Sequence, residues 1–226
     1  MCFSANGSFG VAAVLAGIGA YSVAQEKHPA HRMLSVVPFL FAGQQVAEGI
    51  VWMTIDHPER HALHMFVVAA FLAFAVVVWP MWVPLSLLLG EENPRRRKVL
   101  SALAWIGTCV ALYAGLTLIR GRPTAHIEGH SIGYDYMETG PALVLSLYLP
   151  MYVVTSVVPF FVSTLRRSKV MGGVLAVALV ATFVIKRQTL TSTWCFFSAI
   201  LSGFIVLGIG EHHRLGAKLT GRRAAI

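Results

Sequence analysis

Charge is what this sequence has least of. Only 12% of its 226 residues are Asp, Glu, Lys or Arg, while 56% are hydrophobic. A soluble domain carries about a quarter charged residues, because its surface must be hydrated. Half that share excludes a soluble enzyme and a disordered tail. Cysteine is scarce too: three in the chain and no Cys-x-x-Cys, which excludes a disulfide-stapled secreted module. The sequence has no GxGxxG, no P-loop and no HExxH, so the common nucleotide and zincin signatures are missing. It also lacks internal repeats and low-complexity segments.

Long apolar runs are what it has, with a mean hydropathy of +0.69. Seven stand out, bounded by charge, Pro or Gly: 9–24, 33–53, 65–89, 99–119, 141–163, 170–185 and 191–209. Runs of 16 to 25 residues reach ~24–38 Å as helices, against a hydrocarbon core of ~30 Å. The expected fold is therefore an all-α, single-domain bundle of seven transmembrane helices over residues 1–226, multi-pass in a cell membrane. The first and sixth runs are short. The third contains Trp79-Pro80-Met81-Trp82-Val83-Pro84, which predicts a kink at the prolines and tryptophans at an interface. Small residues in the first run, including Ala12, Ala16 and Gly19, allow close helix packing.

Orientation follows from Lys and Arg. The loops after runs one, three and five share a side with the C-terminus and hold 13 of the 18 basic residues; the other side holds 5. This split puts the N-terminus outside and the C-terminus in the cytoplasm. The net charge of +8 thereby becomes a topology signal with anionic lipid headgroups as partner, and nucleic acid is not needed to explain it. Ser22-Val23-Ala24 looks like a cleavage site, but residues 1–8 carry no Lys or Arg, so cleavage is not expected. All five lysines fall at span ends or in loops, so no retinal is expected.

Glu48 is the most informative residue. It is the one ionisable side chain placed well inside a span, where a carboxyl is a functional candidate unless it is paired, neutralised or wetted. Gln44, Glu48 and Trp52 fall on one helix face with Gln45 beside them. A neutral Glu48 tying helices together is the competing account. Outside lie further candidates: His57, His61 and His64 after the second run, and His126 and His130 before the fifth. On a helical turn, imidazoles four apart can share Zn or Cu; solvated loop histidines are the alternative. Cys2 and Cys195 both fall at the outer boundary, where a disulfide, a metal ligand or nucleophile, and plain packing all stay open. Cys109 reads as core. Thr191, Cys195, Ser198 and Ser202 form a polar stripe, and Tyr148, Tyr152, Thr155 and Ser156 another.

The opening Met-Cys-Phe-Ser-Ala with Ser8-Phe9, the block Pro38 to Gln45 with Glu48-Gly49 and Trp52, and Trp194-Cys195-Phe196-Phe197-Ser198-Ala199 together resemble a bacterial family of uncharacterised multi-span membrane proteins. Where that family usually reads Thr-Ala, this chain has Asn6-Gly7. The resemblance implies that the three blocks matter and carries no activity. A single outward-facing site built from them is the economical reading, with Gln44, Gln45, Trp52, Trp194, Cys195 and Ser198 binding substrate.

Two kinds of function are compatible with such a site. One is a metal-dependent hydrolase embedded in the outer leaflet, acting on a lipid or other amphipathic substrate. In it His126, His130 and one of His57, His61 or His64 hold Zn, with Cys2 a further candidate ligand and Cu the alternative metal, and Glu48 acts as general base or orients a ligand. The other makes Glu48 the proton or cation site of a transporter, or part of a metal or ligand sensor.

Overall fold

In the computed structural model of the chain, the described residues are 4–136, 142–165, 168–185, 191–195, 199 and 202. They are mostly helical. The first helix, α1 (Ala5–Gln25), is 21 residues long rather than short, because Ser4 caps it: its hydroxyl accepts from the Gly7 N–H at 3.2 Å. The short α2 (Arg32–Ser35) leads into α3 (Val37–Thr54). The inward stripe of α1 is Ser8, Ala12, Leu15, Gly19 and Ser22, alternating four and three residues apart. Small residues on both helices bring α1 and α3 together. Phe39 lies where a Cβ on Gly19 would be, and Phe9 where one on Gly49 would be. Two of the blocks singled out by the resemblance are thus packed on each other.

The third apolar run is broken as its prolines require. It forms α4 (His61–Leu72), a π-helical segment (Ala73–Val78) and α5 (Trp79–Leu89). Pro80 has no N–H to give and crowds the carbonyls upstream, so those carbonyls shift to partners five residues on. The tryptophans do not both sit at an interface. Trp79 is buried, stacked on Phe41 with ring centroids 3.9 Å apart, because Gln44 offers its indole N–H an acceptor in the bundle interior.

Next come α6 (Pro94–Arg120), β1 (Thr124–Glu128), β2 (Ser131–Asp135), α7 (Ala142–Val162) and α8 (Ser168–Ile185). Asn93 caps α6, its side chain accepting from Arg95 and Arg96 N–H groups. The inward residues of α6 include Gly107, Ala111 and Ala114, whereas Trp105 and Ile119 are 72% and 82% exposed. Cys109 is exposed as well, which corrects its reading as core. Large apolar residues facing out are compatible with a membrane protein, since lipid accepts them as readily as a core does.

The β-hairpin corrects the all-α expectation. β1 and β2 pair antiparallel with His126 opposite Gly133 and Glu128 opposite Ser131. Gly129, at φ 61°, makes the turn. One face carries Ile132, fully buried, and Tyr134, stacked on Phe71 at 4.5 Å. The other carries His126, Glu128 and Asp135. Four helical stretches among the described residues are long and apolar enough to cross a membrane: Ala5–Gln25, Pro29–Thr54, Pro58–Leu89 and Pro94–Arg120. Ser146–Val162 and Ser168–Val184 are shorter apolar helices.

Candidate functional site

Gln44, Gln45 and Glu48 are completely buried on α3. The Ser192 hydroxyl donates to Glu48 Oε1 at 2.5 Å, and the Gln45 amide donates to Oε2 at 3.3 Å. The Trp79 indole donates to Gln44 Oε1 at 2.9 Å. The Gln44 amide lies beside the Cys195 thiol and interacts with it. The indole N–H groups of Trp52 and Trp194 have no partner among the described residues, although both are buried. An unmade hydrogen bond on a buried donor costs about 1–3 kcal/mol. Cys195 is a free, buried thiol. Cys2 and Ser198 lie outside the described residues, and the Cys2–Cys195 disulfide with them.

Two small cavities flank this cluster. One, of about 50 Å³, is apolar and lined by Val37, Phe41, Val83, Phe160 and Leu175, with Ser156 and Ser202. The other, of about 40 Å³, is also mostly apolar, lined by Ala75, Val76, Leu149 and Leu179 with Tyr136, Tyr148 and Thr191. Both touch Tyr152, Trp194 and Cys195, so these three side chains form the partition between them. Trp194 stands edge-on to Tyr152 at 5.5 Å, and the Tyr148 ring lies behind it, tilted, at 6.1 Å. Burial pushes the Tyr136 hydroxyl above its ordinary pKa against the hydrogen bond with Thr191, so this phenol stays protonated at neutral pH.

The histidines fall elsewhere. A third cavity, of about 190 Å³, opens between Thr54, Asp56, His57, His61 and His64. The Thr54 hydroxyl donates to the Ile50 carbonyl, and His64 Nδ1 meets Thr54 Oγ1 at 3.0 Å. His57 is engaged with Glu59 at 2.9 Å. His126 sits on β1 over Gly133, its Nδ1 3.1 Å from Asp135 Oδ2, and His130 sits in the turn. His126 lies on an extended strand and His130 in the hairpin turn, so the two do not share one helical turn. The helical spacing argued for His126 and His130 therefore does not apply. Among the described residues no three His, Cys, Asp or Glu side chains come together as a metal site.

The sequence pattern pointed to Glu48 and its amides, but not to their partners. Ser192 is 144 residues away from Glu48, and the polar stripe drawn for the last run skips it. A second buried carboxylate, Glu91, was passed over because its loop looked sufficient as a topology signal. It accepts from the Thr164 N–H at 2.7 Å, the Thr164 hydroxyl at 3.0 Å and the Asn93 N–H at 3.0 Å. Next to it Arg96 donates to the Val162 carbonyl at 2.9 Å and Arg97 to the Glu91 carbonyl at 3.0 Å. Together they pin the loop before α6 to the end of α7.

Residues 1–219 match a family of unknown function, DUF6629. The chain belongs to that family. No curated protein and no solved structure matches it. Its DUF6629 membership covers all three sequence blocks, and in the fold their described residues converge. Ser4 starts α1, Phe9 packs on Gly49, and Glu48 meets Ser192 two residues before Trp194.

Proposed function

We propose that this chain is a multi-pass membrane protein of seven spans, N-terminus outside, that translocates protons through Glu48. The observation that carries the reading is the Glu48 carboxyl itself: completely buried, held by Ser192 and Gln45, and near Cys195, which lines both neighbouring cavities. A charged carboxylate at mid-membrane depth costs about 2.5–3.5 kcal/mol on insertion scales. Two hydrogen-bond donors offset much of that for the anion, and protonation removes it for the acid. Such a group can exist in both forms.

Its neighbours favour a proton over a metal cation. Gln45 and Ser192 present hydrogen-bond donors to it, and Gln44 Oε1 is taken by Trp79. A bare cation needs a shell of oxygens instead. The metal-dependent hydrolase does not fit the described residues, because its histidines lie on separate elements and engage Glu59, Thr54 and Asp135. The cavity bordered by Tyr136, Tyr148 and Thr191 is mostly apolar but carries these three hydroxyl-bearing residues, and it is the outer approach. The cavity beside Phe41 and Leu175 is the inner one. The Arg-rich loops then face the cytoplasm, with anionic headgroups around Arg95 and Lys98.

The test is proton uptake by liposomes loaded with a pH-sensitive dye and clamped with valinomycin. Wild-type protein carries a flux after an acid jump, and Glu48→Gln, which keeps the shape and loses the ionisable proton, falls to the rate of empty liposomes. Equal rates for the two proteins overturn the reading. Topology has its own check. His130 and Arg95 are both exposed, so His130→Cys reacts with an impermeant thiol reagent from outside and Arg95→Cys only after permeabilisation. The opposite pattern reverses the assignment of sides.

A further inference from the structure

The π-helical segment creates an acceptor that the chain itself cannot satisfy. In the five-residue register of Ala73–Val78, the next donor due to the Ala75 carbonyl is the N–H of residue 80. Pro80 has none. A carbonyl buried without a partner is costly, and this one is met from another helix. The Tyr152 hydroxyl of α7 donates to Ala75 O at 2.6 Å, with both residues buried. π-Helical turns collect at functional sites, where they re-aim backbone groups.

Tyr152 is also one of the three side chains that touch both cavities. The other two, Trp194 and Cys195, are carried on the last apolar run, and Trp194 leans edge-on against the Tyr152 ring. The ring therefore holds the partition in place, and its hydroxyl is anchored on the orphan Ala75 carbonyl, with the Ser156 hydroxyl beside it as a second polar neighbour. Ala75 itself lines the hydroxyl-bearing cavity, so the latch lies at the edge of the outer approach. Tyr148, one turn back on α7, lines the same cavity with its own hydroxyl lacking a partner among the described residues.

We infer that Tyr152 is the gate between the two approaches to Glu48, latched shut by its hydrogen bond to the Ala75 carbonyl. The inference rests on the proton reading above. When the latch is made, Tyr152 and Trp194 separate the outer cavity from the inner one, and Glu48 exchanges protons with one side only. When it breaks, the ring leaves the partition and the two cavities join past Cys195. Tyr152 is a positioning residue: it transfers no proton to Glu48 and decides from which side one arrives.

Two variants test this through opposite ends of the latch. Tyr152→Phe removes the hydroxyl and keeps the ring. Pro80→Ala supplies the missing N–H, which competes for the Ala75 carbonyl and leaves Tyr152 without its acceptor. Each variant, as full-length protein in dye-loaded liposomes, leaks protons about tenfold faster than wild type, the population shift that goes with losing one buried hydrogen bond. Adding Glu48→Gln to either returns the rate to that of empty liposomes, which a merely destabilised, leaky bundle would not do. Rates unchanged in both variants, with Glu48→Gln still abolishing wild-type flux, overturn the gate and leave the proton reading standing. Flux that ignores Glu48 in every protein overturns both. A faster leak that survives Glu48→Gln overturns the gate, because the protons then bypass the site.

Discussion

Gly107→Ala should separate α5 from α6 and lower the melting temperature of the protein more than any other single methyl addition in the bundle. Pro84, like Pro80, has no N–H, so the Pro80 carbonyl lacks its usual donor four residues on. That carbonyl points at α6, and a Cβ on Gly107 would fall inside its van der Waals radius, with the Pro80 carbonyl carbon only 2.8 Å away. The obstacle is backbone, which cannot rotate away as a side chain can. Overpacking of this kind costs about 1–3 kcal/mol and more where nothing yields. Gly107→Val adds two further methyls at the same contact and should not give a folded bundle. Gly17→Ala is the control. Nothing lies within 4 Å of its Cβ position, and it should melt at or slightly above the wild-type temperature because alanine favours the helix. The measurement is thermal or denaturant unfolding in detergent. A Gly107→Ala protein that melts like wild type would falsify the close α5–α6 contact.

Acid should loosen the end of α7, through Glu91. Burial by itself raises the pKa of this carboxyl. The N–H groups of Thr164 and Asn93, the Thr164 hydroxyl and the charge of Arg96 outweigh it, and the group ends below its ordinary value. A carboxyl whose pKa is lowered on folding stabilises the fold fully above its unfolded pKa, about 4.3. That contribution is lost as pH falls through the lower folded value. The melting temperature should therefore be flat from neutral pH down to the ordinary carboxylate range and fall below it. Glu91→Gln keeps the shape but removes the anion from several charge-assisted hydrogen bonds, each worth about 1.5–3 kcal/mol to a charged group. It should melt lower than wild type at neutral pH, with a shallower decline in acid. The same acid slope in both proteins would assign the effect to other carboxylates. Thr164→Val, which removes the hydroxyl and leaves the N–H, should fall between the two.

Particular residues show how far the pattern of the sequence reached. Glu48 stood out because an ionisable group in an apolar run has few explanations, and its neighbours Gln44 and Gln45 share its burial. The hairpin was missed although its signal was present: Ala125, Ile127, Ile132 and Tyr134 alternate on either side of Gly129-His130. Its polar alternates, His126, Glu128 and Asp135, drew attention as ligands instead. Trp79 was assigned to an interface by composition, and only the Gln44 acceptor opposite it explains why it turned inward.

Local chemistry thus determined a good part of this protein by sequence alone. Long apolar runs make helices, because a backbone in lipid has to satisfy its own hydrogen bonds. Ser4 and Asn93 start two of them, and Pro80 breaks a third into a π-turn. A buried carboxyl marks the site. The tertiary structure alone decided which face of each helix points inward and which groups meet. In a soluble protein, hydrophobic periodicity sorts the faces; in this chain both faces of a helix are apolar, so Cys109 and Trp105 face out while Gly107 and Ala114 face in. Small residues, orphan carbonyls and the few buried polar groups take over that task. Their partners, Ser192 for Glu48, Tyr152 for Ala75 and Thr164 for Glu91, lie 144, 77 and 73 residues away along the chain, a distance that only packing closes.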